Sequence, residues 1–318
     1  MLARMQNALR TFGGQLQVTT TDWVSKLSPS EKTRLTWAKA IESYEAVPEA
    51  YKEFFEPHLS NGQAFPYTIF TPVFETLGYR ITEKLVCAFD QEIYILEKSG
   101  NTLITQCYPL ADISYVEVSS MILDSRIKIY GVNNQGIPAT SIVRFNSVTD
   151  YLFVPILKNI RLATVTSKDA VQGSELDKFD HWVKLNYKFM NLARHSLLGG
   201  EKVIQTLLQP EIKTRRFKIL NKTYYRTLAP THACILTNRE LIMIQEELVQ
   251  NRKDNHGGIW DYIPLNKIAM LSVNSKADYL LALTIQLITN DQLEFLFQAS
   301  MKAEIDQLIA WFREMKSG

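Results

Sequence analysis

No stretch of the chain approaches the roughly 18 consecutive apolar residues that a membrane-crossing helix requires. Residues 1–17 lack the apolar core and small-residue cleavage site of a secretory signal. A cytoplasmic protein is expected, at most peripheral at a membrane. Cysteine is scarce. Cys87, Cys107 and Cys234 are odd in number and scattered through apolar runs, which excludes a disulfide framework and a metal-ligand spacing. They are expected to be buried thiols in a reducing compartment. Charge of one sign is also missing: 35 Lys and Arg against 33 Asp and Glu leave a net charge of +2. That excludes the global field of a general nucleic-acid binder, so any anionic partner must be read by a local patch.

Chemistry-bearing motifs are absent too. There is no G-x-G-x-x-G, G-x-x-x-x-G-K-[ST], G-x-S-x-G, H-E-x-x-H or C-x-x-C. His58, His181, His195, His232 and His256 are never paired at metal or catalytic spacing, and His256 beside Asp254 reads as a solvated loop histidine. Acidic pairs such as Glu42/Glu45 and Glu246/Glu247 read as exposed charges. No catalytic residue, cofactor or metal is expected, and the chain is not expected to be an enzyme.

What the sequence does contain is similarity to itself. "GQAFPYTIFTPVF" at 62–74 aligns with "GEKVIQTLLQPEI" at 200–212, placing Gly62 on Gly200, Thr68 on Thr206 and Pro72 on Pro210. "LVCAFDQEIYIL" at 85–96 then aligns with "ACILTNRELIMI" at 233–244, Glu92 on Glu240. "YPLADISYVEV" at 108–118 aligns with "IPLNKIAMLSV" at 263–273, Pro109, Leu110 and Ile113 on Pro264, Leu265 and Ile268. Three anchors in one order, twice, favour duplication over chance. In the first copy, apolar or alternating runs at 67–73, 84–89, 92–97, 103–108, 114–118, 126–131 and 141–145 predict about seven strands. Residues 301–315 predict a closing helix with Ile305, Leu308, Ile309 and Phe312 on one face. Its counterpart at 148–162 contains Pro155, which should kink it or mark its start.

Seven antiparallel strands, the hairpin "TNREL" at 237–241, a strand entering "IPL-x-x-I" and a closing amphipathic helix resemble the bacterial pleckstrin-homology-like (PH-like) family, whose hairpin is similar to that of GRAM domains. The first copy departs from this pattern, with Phe89, Asp90, Gln91, Glu92 and Ile93 in place of "TNREL". The resemblance implies an α+β, mainly β fold. It would hold two tandem PH-like β-sandwich or partly open barrel domains, each closed by a C-terminal helix, with further helices at the N-terminus and between the domains. The implied boundaries are 1–61 for an N-terminal helical region, 62–165 for the first domain, 166–199 for a linker helix and 200–318 for the second domain.

Ser28-Pro29-Ser30-Glu31 is a capping box that should open a helix carrying Leu35, Ala38, Ile41 and Tyr44. A second start is expected at Val47-Pro48, and a third helix over 174–195 with Phe179, Trp182, Val183, Tyr187 and Met190 on one face. These helices are expected to pack between the β domains, with 164–173 as a short polar connector. Residues 1–12 place Leu2, Met5, Leu9 and Phe12 at helical spacing beside Arg4 and Arg10, the pattern of a docking or interfacial helix, though a frayed or tucked terminus fits as well.

One local feature stands out. From 212 to 239 the chain carries Lys213, Arg215, Arg216, Lys218, Lys222, Arg226 and Arg239 and no acid. Pro210 lies 30 residues before Glu240 whereas Pro72 lies 20 before Glu92, so the second copy has a longer first hairpin. In domains similar to this fold that hairpin grips phosphorylated head groups, which makes Lys213, Arg215, Arg216 and Lys218 the candidate residues for an anionic group. A charged edge that blocks aggregation explains the same residues. The expected function is non-enzymatic binding of a protein or peptide partner, with an anionic membrane surface as the alternative and no role for nucleic acid.

Overall fold

The computed structural model describes residues 28–76, 79–100, 102–163, 172–219, 222–247 and 257–317. The residues 1–12, His256 and most of the 164–173 connector singled out above lie outside them. The fold is mainly β, with antiparallel sheets and a helix near the C-terminus.

The capping box at Ser28 forms: Ser28 N–H donates to Glu31 Oε2 at 2.8 Å, and Glu31 N–H donates back to Ser28 Oγ. The helix it opens, α1 (Pro29–Arg34), is shorter than the apolar spacing predicts, because the residues after it enter β1 (Lys39–Ile41), whose backbone pairs with β2 (Tyr67–Thr71). The second helix, α2 (Glu49–Ser60), starts where expected, after Pro48.

The five-stranded sheet runs β1, β2, β5 (Lys84–Ala88), β6 (Glu92–Ser99), β7 (Thr102–Pro109), with β3 (Phe74–Thr76) and β4 (Tyr79–Ile81) as a separate small hairpin. A meander of β8 (Ile113–Met121), β9 (Asp124–Val132) and β10 (Pro138–Phe145) follows, closed by α3 (Asp150–Leu162). That helix neither starts at Pro155 nor stops there; Pro155 lies inside it. After it, the long helix expected over 174–195 is broken into α4 (Gly173–Asp177), a 3-10 turn (Asp180–Trp182) and α5 (Tyr187–Ser196), which Asn186 caps by accepting from Phe189 N–H.

The same strand order then recurs. β11 (Val203–Gln209), β14 (His232–Thr237), β15 (Glu240–Gln245) and β16 (Gly258–Pro264) pair in sequence as β2, β5, β6 and β7 do, and β17 (Ile268–Ala277), β18 (Leu280–Leu287) and β19 (Gln292–Gln298) form a second meander closed by α6 (Lys302–Ser317). The register matches residue by residue. Thr68 faces Cys87 as Thr206 faces Ile235, Glu92 faces Pro109 as Glu240 faces Pro264, and a bulge follows Ile113 as one follows Ile268. Pro72 and Pro210 each follow directly on the first strand of their set.

Each set of strands buries two faces. The inner face of the first packs Ile69, Val86 and Ile95 against Ile127, Ile129 and Val143 and against Phe153, Ile156 and Ile160 of α3. The second packs Leu207, Cys234 and Met243 against Leu271, Leu283 and Ile285 and against Ile305, Leu308, Ile309 and Phe312 of α6. The outer faces are covered by the preceding helices, Tyr51 and Phe55 of α2 on Leu85, Cys87 and Leu96, and Phe189, Met190 and Ala193 of α5 on Ala233, Ile235 and Ile242. These helices therefore cap the outside of the strands that follow them and do not fill the space between the two halves. Because both its faces are covered, β14 is buried at all six positions, which is why its sequence is an unbroken apolar run.

The halves join edge to edge. β8 of the first pairs with β16 of the second, Asp261 opposite Glu117 and Trp260 opposite Val118, and fuses the first meander with the second four-stranded set into one seven-stranded sheet. Gly257 permits the approach: a Cβ there would lie 2.2 Å from the Ser120 carbonyl oxygen.

Candidate functional site

The basic run of the second half forms a two-stranded ribbon, β12 (Ile212–Ile219) with β13 (Lys222–Ala229), which among the described residues pair only with each other. Pro210 and Pro230, lacking an N–H to continue a ladder, break it from β11 and β14. Gln209, fully buried, fixes the bend by donating to the Pro210 carbonyl at 2.8 Å and accepting from Gln298 N–H at 2.8 Å. Ile212 and Ala229 anchor the base on Leu280, and bulges at 212/213 and 215/217 twist the arm.

Along the arm, cross-strand register and alternation put Arg215 beside Tyr225 on one face and Phe217 beside Tyr224 on the other. The Phe217 and Tyr224 rings stack at 4.8 Å while remaining 42% and 39% exposed, Tyr225 is 63% exposed, and the Arg216 guanidinium lies 5.8 Å from the Phe217 ring. Arg215, Arg216 and Arg226 are exposed and make no ion pair among the described residues. Lys213 differs: it pairs with Glu211, just outside the acid-free run, and Thr227 donates to the same carboxylate at 2.6 Å. Burial raises the Glu211 pKa, but these two donors outweigh it and hold it below its ordinary value. The structure thus keeps Arg215 and Arg216 as available cations and engages Lys213; Lys218 lies on β12, its side chain outside the described set. Phe217, Tyr224 and Tyr225 are the ribbon's exposed apolar surface.

The tip of the β14–β15 hairpin is not the inert turn its polar residues suggest. Arg161, at the end of α3 and only 8% exposed, places its guanidinium on Glu240, with Nε 3.1 and 3.3 Å from the two carboxylate oxygens, donates to the Ser196 carbonyl at 2.7 Å and lies 3.8 Å from the Tyr262 ring centre. Glu201, fully buried, accepts from Leu198 N–H at 2.6 Å and sits 3.7 Å from Arg161. The Thr237 hydroxyl is 3.0 Å from both Glu201 Oε1 and the Glu240 carbonyl, and accepts from the N–H groups of Arg239 and Glu240. Burial, and then the charge of Glu240, push the Glu201 carboxyl up to about 8. Arg239 donates to the Gly199 carbonyl at 3.1 Å, and Asn238 accepts from Lys202 N–H at 2.8 Å.

A buried acid with a raised pKa marks many active sites, but a substrate has to reach it. The cavity beside Arg161 and Tyr262 holds about 10 Å³, room for about one water molecule and not for a substrate. Its groups are satisfied by one another, so the cluster acts as a clamp between the first half's helix and the second half's hairpin. A second buried acid lies on the seam itself. Burial, and then Glu117 across the strand pair, push Asp261 up to about 7, against the opposing pull of Lys128, which binds Glu117 at 2.7 Å. Glu246 and Glu247, expected to be exposed, are half-buried and pair with Lys188 at 3.2 Å and Arg126 at 3.4 Å. All three cysteines are buried, and burial pushes the Cys87 thiol up to about 12. His232 is buried as well, bonded through Nδ1 to the Pro230 carbonyl at 2.9 Å.

Arg161, Glu201 and Glu240 were invisible as a group because they lie up to 79 residues apart in sequence and carry no spacing. The one available signal was Glu92 and Glu240 occupying the same place in both copies. No protein-family model matches the chain, and no curated protein matches it. Among the described residues no cluster of His, Cys, Asp or Glu could hold a metal ion, and no helix is long and apolar enough to cross a membrane.

Proposed function

We propose that this chain is a binding protein of two tandem PH-like domains that presents the β12–β13 ribbon to a protein or peptide partner. The repeated strand order with a closing helix supports the PH-like reading, with the first domain over 62–165 and the second over 200–318. The observation that carries the binding role is the ribbon: exposed Arg215, Arg216 and Tyr225 beside the Phe217/Tyr224 stack. Arginine and tyrosine are the side chains that dominate protein interfaces, because each combines apolar area with a directional donor. A photo-crosslinking residue at Tyr225 in the native cell tests it. The expected outcome is capture of one protein at stoichiometric yield, lost when Arg215 and Arg216 are both changed to Glu. No ribbon-dependent product would overturn the reading.

A second reading is favoured by the same unpaired arginines: the ribbon grips an anionic head group. It predicts co-sedimentation with anionic vesicles at low salt that falls steeply as salt rises, and its loss in the double Glu variant with no change in thermal stability. Absence of sedimentation at low salt would exclude it.

A further inference from the structure

Each closing helix ends beside a 3-10 turn, Leu110–Asp112 in the first half and Leu265–Lys267 in the second, and the two copies of this place differ. The helices match in order and burial, Phe153, Ile156 and Ile160 of α3 with Ile305, Leu308 and Phe312 of α6, and each starts directly after a 3-10 turn of its own. Leu110 and Ile160 therefore correspond to Leu265 and Phe312, and both pairs line a gap. In the first half the gap is closed to about 10 Å³, because the second half fills it: Tyr262 and Pro264 line it, and the Glu240 carboxylate reaches Arg161. In the second half no segment among the described residues plays that part. The gap opens there into a cleft of about 550 Å³, within the range of about 300–1,000 Å³ that small-molecule sites span.

Floor and rim of the open cleft differ in chemistry. Leu265, Phe312 and Met315 supply apolar surface, Arg239, Lys316 and Asn266 supply donors, and no carboxylate is among the lining residues. Arg239 donates to the Gly199 carbonyl at 3.1 Å and Lys316 donates to the Ile268 carbonyl. Both bonds go to neutral acceptors, so two positive charges line the cleft with no ion pair among the described residues. Arg313, the counterpart of Arg161, is already engaged and adds nothing to this count. Cations beside apolar surface favour an anion with a hydrocarbon body, since a charge-assisted bond strengthens where that body excludes water. What closes the first gap shows the shape that fits: an aromatic ring 3.8 Å from a guanidinium, beside a carboxylate bound to the same guanidinium.

We propose that this cleft binds an aromatic carboxylate, its ring on Leu265, Phe312 and Met315 and its carboxylate on Arg239 and Lys316. The site is separate from the ribbon, which joins the other end of β14: Pro230 precedes that strand and Arg239 follows it.

Titration of N-acetyl-tyrosine into the isotope-labelled full chain, followed by amide chemical shifts, tests the proposal. The expected result is a saturable shift confined to the neighbourhood of 238–239, 265–266 and 312–316. N-acetyl-tyrosinamide, with the same ring and no charge, should bind at least tenfold more weakly. Lys316→Glu should lose at least tenfold in affinity for the acid. Asn266→Trp, at an exposed rim position, should fill the cleft and abolish binding. Should either variant fail to show a wild-type melting transition, the comparison of acid with amide on wild type decides. N-acetyl-glycyl-glycyl-tyrosine separates the sources of such a ligand: tighter binding than the probe assigns it to a chain end, equal or weaker binding to a free molecule. No saturable shift up to millimolar probe, equal affinity for acid and amide, or unchanged binding in a folded Asn266→Trp overturns the proposal. The Arg215→Glu/Arg216→Glu variant should bind the probe as wild type does, so failure at the cleft and failure at the ribbon are read separately.

Discussion

At the scale of single residues, the informative groups are acids that the fold holds against their preference for water. Glu201 and Asp261 have folded pKa values raised to about 8 and about 7, from ordinary values of 4.5 and 3.8. A raised acid favours the folded state while it is protonated, so its contribution is complete below the unfolded pKa and is lost as pH rises through the folded one. Each therefore makes the fold less stable with rising pH, Asp261 up to about 7 and Glu201 up to about 8. Urea denaturation between pH 5 and pH 8.5 should show a wild-type decline that is smaller in Glu201→Gln in the upper part of the range and in Asp261→Asn in the lower. Taking differences from wild type cancels groups of opposite sign, such as buried His232, whose pKa burial lowers. Identical slopes in all three proteins would show that these acids are not held as described. Arg239, too, is engaged: its guanidinium ties the hairpin tip to the Gly199 carbonyl.

At the scale of elements, the helices carry much of the apolar packing. The stripe of Ile305, Leu308, Ile309 and Phe312 is legible in the sequence because a helix repeats every 3.6 residues, and all four side chains are buried on the second meander and its partner strands. Leu308→Ala should cost about 2–5 kcal/mol in chemical denaturation, the transfer term plus the cavity left in a site walled by rigid strands. A loss near zero would mean that α6 is not part of the core. Helix boundaries were less legible. Ala38 and Ile41 fit a helical spacing but belong to an edge strand and its approach, because pairing with β2 satisfies backbone groups that an isolated helix end would leave open. The 174–195 segment breaks for a similar reason: the Trp182 carbonyl accepts from both Leu185 and Asn186 N–H groups, closing one turn before Asn186 caps the next.

At the scale of the whole molecule, the question is what locks the halves together. Backbone pairing of β8 with β16 supplies direction, and the Arg161 clamp supplies a charge pair withdrawn from water. Removing one partner of such a pair leaves the other buried and uncompensated, so Arg161→Ala should destabilise by about 3–5 kcal/mol in denaturant unfolding. A cost below about 1 kcal/mol, the level of an exposed ion pair, would mean that water reaches the cluster.

Local order along the chain was decided by the sequence itself. Thr68, Pro72, Glu92, Pro109 and Ile113, matched by Thr206, Pro210, Glu240, Pro264 and Ile268, announce two strand sets of one design, since prolines and apolar alternation act through the backbone of their own segment. The availability of Arg215 and Arg216, the engagement of Lys213 and the burial of Glu201, Glu240 and Asp261 were settled only by tertiary structure. A charged side chain reads the same in sequence whether it faces water or a counter-ion brought from 79 residues away. Which edges of the two sets meet was likewise undetermined, because each strand edge offers the same row of N–H and C=O groups. What the structure adds is the pairing of β8 with β16 and the close approach at Gly257, where a side chain would meet the Ser120 carbonyl.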